Sequence, residues 1–117
     1  MLKRSKYGNR KTIIDGIKFD SIKEGEYYKH LKVIDKMGLI EKLELQVKFP
    51  YTITYSCNGL EMSKKAFYRA DFVVTYKSDK TIGQKVAVID VKGTRTAEYK
   101  RKKKIIEHLY KLKIIEV

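Results

Sequence analysis

The chain has 117 residues, 43% hydrophobic and 35% charged, which suits one folded domain with a single core and a heavily charged surface. Lysine and arginine total 27 against 14 acids, a net charge of +13. No apolar run approaches the roughly 18–20 residues of a membrane helix, and the lone Cys57 excludes an internal disulfide. The basic N-terminus leads into no apolar signal segment, so a cytoplasmic protein is expected. So large a positive charge calls for a polyanionic partner. Nucleic acid is favoured over membrane, because no helix opposes a wholly apolar face to lysines and no lipidation signal is present.

Residues 1–12 carry Lys3, Arg4, Lys6, Arg10 and Lys11 without an acid, and read as a flexible basic arm able to track phosphates. A single domain is expected over residues 13–117. Ile13–Phe19 predicts a small hairpin turning on Asp15-Gly16. Ser21 and Glu24 fit a capping box that opens the first helix, and Gly38 is a credible stop. Tyr27, Tyr28, Leu31, Ile34 and Met37 fall on one stripe at helical spacing. Glu24 lies one turn earlier on that stripe, whereas Glu26 points to solvent. Glu24 therefore has two competing uses, as a reciprocal cap or as an inward-facing carboxylate.

Leu43–Phe49 alternates strictly and predicts a half-buried strand that Pro50 ends or sets at an edge. Tyr51–Tyr55 is β-prone, and Asn58-Gly59 is the clearest reversal signal. Glu61–Lys65 either continues that hairpin or loops out. Tyr68–Tyr76 is the next strand, with Ala70, Phe72, Val74 and Tyr76 on one face and Asp71, Val73 and Thr75 on the other. An acid in so apolar a run costs free energy unless it is paired or bound to a cation.

Lys77–Gly83 reads as a polar turn into the strand Lys85–Gly93. Side chains two apart share a face, so Asp90 and Lys92 point the same way, with Val86 and Val88 behind them. This pair reads either as a surface ion pair at a strand end, worth little, or as a metal-binding carboxylate beside a lysine that positions water or phosphate. Strands joined by a short loop are most simply antiparallel, which sets Asp71 and Asp90 at comparable depth on one sheet face. Carboxylates converging there would repel one another unless a divalent cation sat between them. A second helix is expected from about Thr96 to Leu112, its core stripe Ile105, Ile106, Leu109 and Leu112. Its first half is Lys100, Arg101, Lys102, Lys103 and Lys104, with Arg95 just ahead. That run is a solvated face or a phosphate contact. Ile114–Val117 closes the chain as a short strand, and His30 and His108 read as incidental.

The order helix, three strands, helix, strand, with Glu24 on the first helix and Asp71 and Asp90-Val91-Lys92 on core strands, resembles the PD-(D/E)XK nuclease superfamily. That superfamily includes restriction endonucleases, archaeal Holliday-junction resolvases and phage endonuclease I. Phe19–Glu24, Leu43–Gln46, Arg69–Phe72 and Asp90–Gly93 look more closely like small phage-encoded nucleases of that group, over about residues 19–117. Ala70 stands where the superfamily name expects proline. The resemblance implies an α/β (α+β) restriction-endonuclease-like core, a central mixed sheet flanked by helices. It implies catalytic roles for Glu24, Asp71, Asp90 and Lys92, with Gln46 a possible addition. Asp71, Asp90 and the Val91 carbonyl would bind Mg²⁺ or Mn²⁺, with Glu24 joining directly or through water. The expected activity is metal-dependent cleavage of DNA, branched or duplex, by a homodimer. The alternative from another class is a non-catalytic DNA- or RNA-binding module, served equally by the basic runs and the nine tyrosines.

Overall fold

Asp15-Gly16 and Asn58-Gly59 each turn the chain with two consecutive residues at positive φ, 52° and 76° in the first and 51° and 76° in the second. Those angles belong to a type I′ turn, which Asp or Asn followed by Gly adopts at little cost. The computed structural model describes residues 11–79, 83–92 and 95–117. Its elements are β1 (Thr12–Ile14), β2 (Ile17–Phe19), α1 (Ile22–Lys36), β3 (Ile40–Cys57), β4 (Leu60–Asp79), β5 (Gly83–Asp90), α2 (Ala97–Tyr110) and β6 (Ile114–Glu116). The fold is mixed α+β, in the expected order behind a short hairpin. Among the described residues, no helix is long and apolar enough to cross a membrane.

The chain divides into two compact units, Met1–Glu41 and Lys42–Val117. Within the first, β1 and β2 pair antiparallel, Thr12 opposite Phe19 and Ile14 opposite Ile17. Ser21 caps α1, its hydroxyl accepting from the Glu24 N–H at 3.1 Å. At the other end Gly38, at φ 80°, donates to the Asp35 carbonyl at 2.9 Å, and the Leu39 N–H donates to the Ile34 carbonyl at 3.5 Å. This is a Schellman stop, for which glycine is the natural residue. The buried face of α1 is Glu24, Gly25, Tyr28 and Leu31. Met37 departs from the expected stripe: as the C-cap it has left the helix face and is 67% exposed. A Cβ on Gly25 would come within 2.7 Å of Thr12 Cγ2 and 2.8 Å of Ile14 Cδ1, so glycine lets the hairpin lie against α1. Tyr28 secures it, its ring 5.0 Å from that of Phe19 and its hydroxyl donating to Asp15 Oδ2 at 3.2 Å.

In the second unit the sheet order is β3-β4-β5-β6. β4 and β5 are antiparallel, with Phe72 opposite Ile89 and Val73 opposite Val88. α2 carries the chain over to β6, which lies parallel to β5. Tyr51, Tyr68, Ala70, Val73, Val88, Tyr99, Ile106 and Ile114 form one core cluster. Ala70 joins Val73 there instead of sharing the face of Phe72, so the expected alternation breaks at this point of β4. On α2 Tyr99 and Ile106, two turns apart, are buried, and the expected Ile105 and, just past the helix, Leu112 pack partly buried against the same core, whereas Leu109, in the last turn, is exposed. Val86 is exposed as well, near the start of β5. Glu61–Lys65 continues the hairpin, and every residue from Thr52 to Lys65 is exposed. The expected polar turn begins later than Lys77, since β4 runs on to Asp79; Lys80–Ile82 lie outside the described residues.

Candidate active site

Register brings the acids together. Val73 faces Val88 and Thr75 faces Val86, and one further step of the same pairing sets Asp71 level with Asp90 on that face. On the other side of β5, the parallel pairing sets Glu116 beside Asp90. Three adjacent strands thus carry an acid at one level. Asp71 and Asp90 match the sequence expectation; Glu116 does not figure in it.

Asp90 is 0% exposed. The Tyr68 hydroxyl donates to its Oδ2, and the Lys92 ammonium lies 3.4 Å from its Oδ1, an oxygen that carries no hydrogen bond among the described residues. A surface ion pair at a fraying strand end is therefore excluded. A carboxylate removed from water in this way costs several kcal/mol, offset here by a cation and a phenol donor. Burial first, then the bond to Asp90, pushes the Tyr68 phenol far above its usual range, so it remains a donor through the alkaline range. Lys92 keeps 29% of its side chain exposed, and its ammonium sits 4.6 Å from the centre of the Tyr99 ring. Its backbone is pinned too: Lys92 N–H donates to the Val117 carbonyl at 3.2 Å, and Val117 N–H to the Asp90 carbonyl at 3.0 Å.

Asp71 is half-buried, and its Oδ2 accepts from the Val91 N–H at 2.8 Å, which ties β4 to the residue between Asp90 and Lys92. Gln46 sits within β3 at φ 55°, a left-handed conformation that costs a non-glycine residue about 1 kcal/mol. Its Oε1 is buried. Glu24 belongs to the first unit, where at 4% exposure it is an inward-facing residue on α1.

Glu116 is held by three donors: Arg95 Nε at 2.6 Å, Lys103 Nζ at 2.9 Å and the Tyr99 hydroxyl at 3.2 Å. Lys103 and then Arg95 depress its carboxyl to about 2. Below its ordinary value of 4.5, this pairing is lost progressively as pH falls toward about 2. Wild type is accordingly expected to resist urea better than Glu116→Gln at neutral pH, with the gap between their midpoints closing across that acid window. Burial, followed by Asp90 and then Glu116, raises the Tyr99 phenol.

Of the cations expected to meet phosphate, Arg95 and Lys103 are thus engaged with Glu116, and Lys102 with Glu98 at 3.2 Å. Lys11, Lys100, Arg101 and Lys104 are exposed. Lys3, Arg4, Lys6 and Arg10 lie outside the described residues. Tyr68, Tyr99 and Glu116 escaped the sequence reading. Only the last carried a signal, as an acid on a terminal strand.

Among the described residues, no group of three or more His, Cys, Asp or Glu side chains gathers to hold a metal. The donors present nevertheless suit a hard divalent ion. Asp71 and Asp90 offer carboxylate oxygens at one level, and Asp90 Oδ1 is a buried acceptor without a hydrogen bond among the described residues. Such an ion retains several waters and needs only one or two protein carboxylates.

Fold and site together describe an α+β domain with a buried acid–lysine pair closing a central strand. Over residues 4–115 the chain matches the family model described as Protein of unknown function (DUF1064), and it belongs to that family. No curated protein and no solved structure matches it.

Proposed function

We propose that this protein is a metal-dependent endonuclease that hydrolyses phosphodiester bonds in DNA, with branched or junction DNA its favoured substrate. The observation that carries the proposal is Asp90: fully buried, one oxygen without a hydrogen bond among the described residues, an ammonium 3.4 Å away, and Asp71 level with it. A buried ion pair adds little to stability over apolar residues of the same volume, so its presence here argues for chemistry. A module that only bound nucleic acid would gain nothing from acids facing phosphate.

In this reading Asp71 and Asp90 would hold Mg²⁺ or Mn²⁺, with the Val91 carbonyl as the further ligand the superfamily resemblance implies. The bound ion supplies charge neutralisation and a more acidic water. Lys92 would orient the attacking water and donate to the phosphate oxygens as negative charge builds on them. The water oxygen bonds to phosphorus, the bond from phosphorus to one ester oxygen breaks, and that oxygen leaves with a proton. Tyr68 is a positioning residue that fixes the Asp90 carboxylate. The exposed Lys100, Arg101 and Lys104 contribute sequence-independent phosphate contacts. Symmetric resolution of a junction would further require a homodimer.

Titrating Mg²⁺ and Mn²⁺ against a labelled four-way junction, a matched duplex and single strands, with products read on a denaturing gel, tests this. Cuts that need the metal and favour the junction are expected. Tight, salt-sensitive binding without cleavage under either metal would reassign the protein as a binding module.

A further inference from the structure

An open cavity of about 400 Å³ lies where the exposed half of the β3–β4 hairpin meets the sheet, lined by Lys48, Pro50, Lys65, Ala66 and Phe67. Phe67 is 47% exposed, costly for a large apolar ring in a chain of which 35% is charged. The Lys48 ammonium sits 4.8 Å from the centre of that ring, and both Lys48 and Lys65 are exposed. A partly exposed aromatic ring beside one cation, in a cavity that a second cation also lines, meets the two needs of an unpaired nucleotide: a surface to stack on and positive charge for its flanking phosphates. A folded duplex offers no free base face, and a purely apolar ligand would leave the lysines without a role.

We propose that this cavity binds an unpaired nucleotide of a DNA strand, the base stacking on Phe67 and the adjoining phosphates pairing with Lys48 and Lys65. The choice of DNA rests on the nuclease reading above; the stacking site itself does not. Consecutive strand residues face opposite ways, so Phe67, before the break in alternation at Ala70, points away from the face to which its neighbour Tyr68 turns to reach Asp90. The pocket is therefore separate from the carboxylates. A strand held there is anchored away from the phosphate being cut, a useful second contact for an enzyme acting where duplexes branch and bases come unpaired.

The chain has no tryptophan, so Phe67→Trp introduces a single reporter at the site. In chelator, without cleavage, its emission should be quenched saturably by a thymidine oligonucleotide, and added salt or Lys48→Gln should weaken the titration. Phe67→Leu, which keeps the apolar bulk, should reduce single-strand affinity by roughly 5- to 100-fold while duplex affinity stays within about twofold, and Phe67→Tyr should retain it. Emission that stays constant while anisotropy reports strand binding would overturn the site. So would equal losses by Phe67→Leu on duplex and single strand, or quenching by a uridine strand alone. Quenching without any metal-dependent cutting would keep this pocket and remove the nuclease; cutting without quenching would do the reverse.

Discussion

Asp90→Asn is expected to lower metal-dependent cleavage by at least about 100-fold, the scale on which one preorganised electrostatic group acts. Asparagine has nearly the same shape, so its carbonyl oxygen can still accept from Tyr68 while the charge that would hold a divalent ion is lost. Stability should fall by about 1–3 kcal/mol, because the amide presents buried donors where the fold supplies an ammonium and a phenol. Urea unfolding followed by circular dichroism gives that number, and gel assays at matched folded fraction give the rate. A variant that still cut branched DNA in Mg²⁺ like wild type would remove Asp90 from the site. Tyr68→Phe separates the two effects: it strips one hydrogen bond from Asp90 but leaves the charge, so stability should drop more than cleavage does.

Lys92→Ala should reduce cleavage by roughly 100- to 10,000-fold, the range for a group that manages proton transfer and developing charge. Strand binding should survive, since one lysine is a small part of a net charge of +13. The stability cost is expected at about 1–3 kcal/mol. Breaking a fully buried pair costs about 3–5 kcal/mol, but Lys92 is 29% exposed and water screens part of its attraction to Asp90. Lys92→Arg tests whether charge alone matters. A guanidinium keeps the cation beside Asp90 and over Tyr99 but carries a wider, fixed fork. It should recover most of the stability and little of the cleavage. Equal recovery of both would show that a positive charge beside Asp90 is all that Lys92 supplies, and would remove its role as a positioned proton donor.

What could be read without coordinates was local. Asp15-Gly16 and Asn58-Gly59 turn the chain because few other dipeptides accept two successive positive φ angles. Ser21 and Gly38 bound α1 because a helix leaves orphan donors at one end and needs a left-handed residue at the other. Asp90 and Lys92 share a side because strand periodicity is two. Asp71 lies at a depth comparable to Asp90 because a short connection joins antiparallel strands, and a one-residue shift of the pairing between Tyr76 and Asp79 then sets the two level.

Tertiary structure decided what depends on distant segments meeting. Glu116 reaches the side of Asp90 only through a parallel pairing across the α2 crossover, whose register no turn dictates. Tyr68 could not be assigned to Asp90 from its position, since the choice rests on where β5 ends and how the β4 alternation breaks at Ala70. The left-handed Gln46 goes against the conformational preference of its residue, so it exists only because the surrounding fold outweighs the strain. The basic run on α2 looked uniform, yet Glu98 and Glu116 take Lys102 and Lys103 and leave Lys100, Arg101 and Lys104 outward. Steric rules within a few residues are written into the sequence directly. Which charges meet is settled by packing, where each pairing competes with every other the folded chain makes available.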